Sequence, residues 1–257
     1  MSSKPLILVT NDDGIYANGI RVLAEIAKEF GEVVVVAPDQ PQSAKSNALT
    51  IDRPLRLKSM NIFEGIESYT CSGTPVDCVK LAVDQVLKRK PDFCFSGINH
   101  GSNASLNVLY SGTMAAAMEG AVKGIMSIGF SMSDYDENID LEEAKVYIKQ
   151  IISWIQKTKL TPSKLLNVNF PRQALGPIQG MKICRQGKAN WEQEFDKRKD
   201  NFERDYYWLK GNFVNKDEGT DTDIYALEKG YISIVPVQYD LTAYSDIDFL
   251  REHWEVD

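Results

Sequence analysis

The sequence predicts an α/β protein: a Rossmann-like, mostly parallel sheet covered by helices on both faces, followed by a β-rich C-terminal extension. Three observations lead there. Short aliphatic runs without polar alternation (Leu6-Ile7-Leu8-Val9, Val33–Ala37) read as strands buried on both faces. Longer stretches with apolar residues at helical spacing stand between them, and strands alternating with helices mean parallel pairing through crossovers. After about Pro171 the texture changes to charged and aromatic residues with few aliphatics.

In chain order, Leu6–Thr10 is the first expected strand and Gly19–Phe30 the first helix, with Ile20, Leu23, Ile26 and Ala27 at helical spacing. Val33–Ala37 is a second strand, stopped by Pro38. Thr74-Pro75-x-Asp77 is a helix start, an N-cap threonine with proline at the first helical position, and its helix runs on through Val79, Val83, Val86 and Leu87. Phe93–Phe95, Ile125–Phe130 and Leu165–Val168 are further strands, separated by helices over Thr113–Val122 and Leu141–Trp154. Beyond them, Tyr206–Leu209 and Asn212–Val214 flank Lys210-Gly211, which suits a hairpin turn. Lys197–Arg204 mixes both signs of charge and reads as solvated surface or hairpin arm. Tyr231–Val235 is expected to be a strand and Asp246–Trp254 a short helix.

The 257 residues carry 29 Lys+Arg against 36 Asp+Glu, a net charge of −7 that argues against polymeric nucleic acid or an anionic membrane as partner. A small phosphorylated ligand needs only a local site and stays open. At 43% hydrophobic and 25% charged the chain is not disordered, and no apolar run approaches the ~20 residues of a membrane span. Met1–Pro5 leads straight into the first strand, and Cys71, Cys78, Cys94 and Cys184 form no CxxC pair. Reduced core cysteines and a cytoplasmic location are expected.

Ligands of an open parallel sheet bind beyond the carboxyl ends of its strands. Three such ends are polar here: Asn11-Asp12-Asp13-Gly14, the loop from Asp39 to Asn47 with Ser43 in it, and Ser96-Gly97-Ile98-Asn99-His100-Gly101-Ser102-Asn103. Adjacent Asp12 and Asp13 repel each other unless a cation or a shared proton intervenes, although Asp-Asp-Gly is also ordinary turn chemistry. Carboxylate, hydroxyl and amide oxygens together suit a hard cation such as Mg²⁺ or Mn²⁺. Zinc is disfavoured, since only His100 and His253 are present and no Cys/His cluster accompanies them. Gly97-x-Asn99-x-Gly101-x-Asn103 brings backbone amides near an anion. Ser111-Gly112-Thr113 opens a helix, and it serves as a phosphate site or as a plain N-cap. From the residues alone this is a divalent-metal site beside an anion cradle.

These segments closely resemble the SurE family, stationary-phase survival proteins that act as metal-dependent nucleotidases. The resemblance is carried by Asn11–Gly14, Ala37-Pro38-Asp39 with Ser43 and Ser46-Asn47, Gly73-Thr74-Pro75-x-Asp77-Cys78, Ser96–Asn103 and Tyr110-Ser111-Gly112-Thr113, then by Asn167–Pro171, Thr220–Asp223, Gly230–Ile234 and Asp240-Leu241-Thr242. It implies a catalytic body over residues 1–175 and an extension over 176–257 that is exchanged between subunits of a homodimer or homotetramer. It implies hydrolysis of nucleoside 5′- and 3′-monophosphates, with short polyphosphate as a further substrate. It puts one divalent metal ion per subunit on Asp12, Asp13, Ser43 and Asn99. Catalysis is then expected from Asp12, Asp13 and Asn99, and phosphate binding from Asn11, Asn47, Gly97, Gly101, Ser111, Gly112 and Thr113. A non-catalytic nucleotide or phosphate sensor with the same acidic pocket is the alternative. The chain departs from the family pattern at Asn18, where proline is usual, at Ala44, where glycine is common, and at Tyr244, where histidine often follows Asp-x-Thr-Ala.

Overall fold

The structure, a computed structural model, describes residues 4–158 and 162–254. Its centre is strand β1 (Leu6–Thr10), every residue of which is buried. Strand β2 (Glu32–Pro38) pairs parallel to it on one side and β5 (Phe93–His100) on the other. The chain therefore leaves β1 in one direction and later returns to its opposite flank, which creates a topological switch point between β1 and β5. Outward from β5 come β6 (Met126–Met132) and β7 (Leu165–Phe170), both parallel and wholly buried. Outward from β2 come β4 (Glu67–Cys71) and then β3 (Leu57–Met60), an antiparallel edge.

Two late strands complete the nine-stranded sheet. β11 (Ile232–Pro236) runs antiparallel to β7, and β8 (Met181–Ile183) pairs parallel to β11 at the far edge. Residues beyond 175 thus contribute to the main sheet as well as to a separate hairpin.

Helices α1 (Asn18–Lys28) and α4 (Glu142–Lys157) cover one face, setting Ile20, Leu23, Ile148 and Ile152 on the sheet. α2 (Pro75–Leu81) and α3 (Gly112–Val122) cover the other with Val79 and Ala116. α2 starts where the sequence says it should: Thr74 and Asp77 form a reciprocal capping box and Pro75 supplies the fixed φ of the first turn. The remaining α-helices among the described residues are α5 (Asp223–Glu228) and α6 (Tyr244–His253), with the Tyr244 hydroxyl donating to Asp240. The four cysteines are free and buried, as expected of them. No helix among the described residues is long and apolar enough to cross a membrane.

The hairpin differs from its sequence reading. β9 (Ala189–Lys199) and β10 (Asp205–Asn215) are each 11 residues long, and Lys210-Gly211 lies inside β10 rather than in a turn. The turn is Asp200–Arg204, where the Asp200 carboxylate accepts from the amides of Phe202 and Arg204. An aspartate side chain closes that reversal, so no glycine is required there.

A buried joint ties this arm to the body. Asp223, fully buried at the start of α5, accepts from Ser105 N at 2.6 Å, from Gly187 N at 2.9 Å and from Ile224 N at 2.8 Å. Ser105 Oγ in turn donates to Ala189 O and accepts from Ala189 N, at the first residue of β9. Burial raises the Asp223 carboxyl above its usual range, and the three amides work against that rise. Asp223→Ala is expected to destabilise the protein by about 3 kcal/mol, since orphaned buried donors cost ~1–3 kcal/mol each and water enters to satisfy some. Asp223→Asn, which keeps one acceptor oxygen, is expected to lose less. Urea unfolding checks the order; an alanine variant as stable as wild type overturns it.

Candidate active site

The loops after β1, β2 and β5 meet at the switch point, and backbone bonds zip them together. Ile15 N donates to Pro38 O at 3.0 Å and Gln42 N to Asp12 O at 2.7 Å, which draws the second loop and Ser43 over the acidic pair. The two loops approach closely at Gly14, whose φ of +91° suits a residue without a side chain.

β5 carries an irregularity just where the chemistry sits. Its register against β6 shifts between Ser96 and Asn99, so Gly97 and Ile98 form a bulge that re-aims the strand end. Gly97 has φ +130°, and a Cβ there would stand 2.4 Å from Phe130 O. Beyond the bulge, Asn99 Nδ2 donates to Gly101 O at 2.7 Å, leaving Oδ1 as its free atom.

Asp12, Asp13, Ser43, Asn99, Gly101 and Ser111 all line one cavity of about 860 Å³. Asp12 is 5% exposed. Thr113 holds it: the hydroxyl donates to Asp12 Oδ1, and the Thr113 amide also bonds the carboxylate. Gly112 makes this approach possible, because a Cβ there would lie 2.7 Å from Asp12 Cβ. Burial first, and the neighbouring Asp13 charge second, push the Asp12 carboxyl up to about 6. His100 Nδ1 lies 3.4 Å from Asp13 Oδ2, and that carboxylate holds the imidazole above its usual range.

Among the described residues, five buried side-chain oxygens lack a well-formed hydrogen bond, and four of them cluster here: Thr10 Oγ1, Asn11 Oδ1, Ser96 Oγ and Asp13 Oδ2, the last with His100 Nδ1 at 3.4 Å. Thr10 ends β1 and is the cross-strand neighbour of Ser96, the last β5 residue before the bulge. A buried carboxylate driven toward its neutral form, beside unpartnered oxygens, is a site short of positive charge. The donor set is oxygen throughout and fits a hard divalent cation.

Some expected phosphate ligands are already engaged. Gly101 N donates to Asp134 O, and Ser111 Oγ accepts from Met114 N as an N-cap. Thr113 serves Asp12, and Asn11 Nδ2 donates to Gly14 O. Gly97 and Gly112 act through the space they leave, and exposed Asn47 is not among the cavity-lining residues. The amide cradle expected from the glycine spacing is thus largely internal bonding that sets the loop's shape.

Sequence reasoning missed two further contributions. A buried amide network fixes the loop after β5: Asn169 Oδ1 accepts from Asn103 N, Asn103 Nδ2 donates to Ser131 Oγ, and Asn167 Nδ2 donates to Asn103 O, each at 2.8 Å. Asn167 and Asn169 share one face of β7, and their alternation was the signal available in the sequence. The arm also reaches the cavity, with Trp191, Glu194, Leu209 and Lys210 on its wall opposite the acids' loops.

Comparison with known proteins agrees with this geometry. The family profile described as "Survival protein SurE" matches residues 7–193. The chain is 57% identical over 249 residues to a Flavobacterium johnsoniae protein named 5′-nucleotidase SurE, covering 96% of each. It is 54% identical over 254 residues to a protein of the same name from Cytophaga hutchinsonii, covering 98% of each. The crystal structure of SurE protein from Aquifex aeolicus superposes with a TM-score of 0.81 at 36% identity, over 98% of this chain and 100% of that one.

Proposed function

The chain belongs to the SurE family, and from that premise we propose that it is a divalent-metal-dependent phosphomonoesterase that hydrolyses nucleoside 5′-monophosphates to nucleoside and phosphate. The relatives' shared name, 5′-nucleotidase, supports that activity and disfavours the sensor reading. Nucleoside 3′-monophosphates and short polyphosphate are proposed as further substrates of the same site.

The single observation that carries the mechanism is the charge-deficient cluster at the ends of β1 and β5. Asp12, Asp13, Ser43 Oγ and Asn99 Oδ1 would hold one Mg²⁺ or Mn²⁺. When bound, such a cation polarises a phosphoryl oxygen and lowers the pKa of a water toward attack. The chain's own residues supply the rest. Thr113 fixes the orientation of Asp12, and His100 stands against Asp13. Lys210, which lines the same cavity from the arm, is held by Asp196 at 3.1 Å and stands across the ribbon from Glu194, so the arm presents paired charges there. Asn11, Gly97, Gly101 and Gly112 shape the loops that present these groups, and Asn47 stands at their exposed rim.

The arm exposes Phe195, Phe202, Trp208 and Leu209, α6 exposes Phe249, and Trp254 just after α6 is exposed too. Aromatic side chains concentrate in subunit interfaces, which supports a homodimer or homotetramer built through residues 176–257. A cytoplasmic location belongs to the same proposal.

The test is phosphate release from a panel of nucleoside monophosphates with Mn²⁺ or Mg²⁺, and again with EDTA. Release with either metal, its loss on chelation and its return on adding metal back are the expected results. Release indifferent to EDTA, or none under any metal, overturns the reading.

A further inference from the structure

A second cavity of about 360 Å³ adjoins the acid-lined one, and its walls differ in kind. Leu175, Phe213, Ile224 and Leu227 make it largely apolar, with Arg172 and Glu228 also on its wall. The two cavities share Ser102, Asn107, Tyr135 and Trp191 on their walls, so they adjoin along those residues.

Two flat side chains stand at that junction, each held by a specific contact. Trp191 on β9 is the cross-strand partner of Phe213 on β10, their ring centroids 5.8 Å apart at 60°. Trp191 is 41% exposed despite this edge contact. Tyr135 lies against Gly101: a Cβ on that glycine would meet Tyr135 Cε1 at 2.6 Å, so the bare backbone is what lets the ring rest there.

We propose that this smaller cavity is the nucleobase subsite of the nucleotidase, with Trp191 as its stacking platform and Tyr135 as the opposing wall; the proposal rests on the function argued above. Phosphate would be poorly served by a largely apolar cavity whose lining carries one arginine and one glutamate. An aromatic ring suits it, because every base offers a π-face to an indole and an edge to the polar groups on the wall. The volume lies within the range of small-molecule pockets. The arm thereby gains a part in substrate recognition: it supplies the surface on which the base lies, while the sheet's loops handle the phosphate.

Steady-state kinetics with AMP and with ribose 5-phosphate tests this, since the second substrate keeps the sugar and phosphate but has no base. For Trp191→Ala, KM for AMP is expected to rise about tenfold with kcat unchanged, the signature of lost ground-state stacking. Ribose 5-phosphate is expected to lose far less than AMP does, and an unchanged melting temperature shows that the variant is folded. Trp191→Phe, which keeps an aromatic face, is expected to recover most of the AMP affinity. Equal losses on both substrates, or no change in KM for AMP, overturn the base subsite while leaving the nucleotidase standing. If wild type turns over neither substrate with any metal, the nucleotidase reading has failed and the subsite falls with it.

Discussion

Asp12→Asn is expected to lower metal-dependent phosphate release by at least about 10²-fold, since a catalytic metal contributes several kcal/mol and each 1.36 kcal/mol is tenfold in rate. The variant keeps an oxygen for Thr113 to bond but removes one of two charges that would hold the cation. Stability moves the opposite way. The Asp12 carboxyl sits at about 6 in the fold against an ordinary 3.8, because burial and then Asp13 oppose its ionisation. A carboxylate raised by folding weakens the metal-free protein as pH climbs from about 4 through 6, and full stability holds below that window. With EDTA at neutral pH, the asparagine variant is therefore expected to be more stable than wild type, by up to about 3 kcal/mol. Activity assays beside urea unfolding across pH check both halves. A variant that unfolds, or one that works fully at saturating metal, removes Asp12 from the site.

Gly97→Ala should produce the largest loss of stability among these variants. A side chain at φ +130° is strained in itself, and its Cβ would be driven to 2.4 Å from the Phe130 carbonyl, which belongs to backbone and has nowhere to retreat. Strain of ~1–3 kcal/mol and a comparable overpacking cost put the total at about 3 kcal/mol or more. Relief requires β5 and β6 to part where the bulge aims Asn99, so Mn²⁺ affinity measured by calorimetry should fall with stability. An alanine variant matching wild type in both would show that the bulge does not position the site.

Much of this architecture is legible in the sequence for a physical reason. β1 and β2 are buried on both faces, so they appear as aliphatic runs that need no alternation to be recognised. The edge strand β3 and its neighbour β4 lack that mark. β3 reads Leu-Lys-Ser-Met and β4 Glu-Ser-Tyr-Thr-Cys, each partly exposed, and neither is apparent before the fold is known. Lys210-Gly211 misleads because glycine in a long, solvated ribbon resembles glycine in a turn, whereas the true reversal uses Asp200.

The acidic pair and Asn99 could be named early, since strand ends in a parallel sheet converge wherever the order reverses. Hydrogen-bond allegiance could not. That Thr113 bonds Asp12, and that Gly101 donates to Asp134, depends on which backbone lies opposite, and spacing carries no record of it. Trp191 reaches the cavity only because Ser105 and Asp223 tie the arm's root beside the loop after β5.

The position of β11 also governs how the chain is made. Its residues 232–236 fill the place between β7 and β8, although β7 ends at residue 170. A ribosome delivers β7 well before its neighbour, so the nascent body carries an open, apolar sheet edge while the arm is still being synthesised. Closure waits for a pairing between segments far apart in the chain, a slow class of contact during which stray strands compete for the same edge. Translation stalled between β7 and β11 leaves that edge bare, and at this stage of its life the protein has most need of a chaperone.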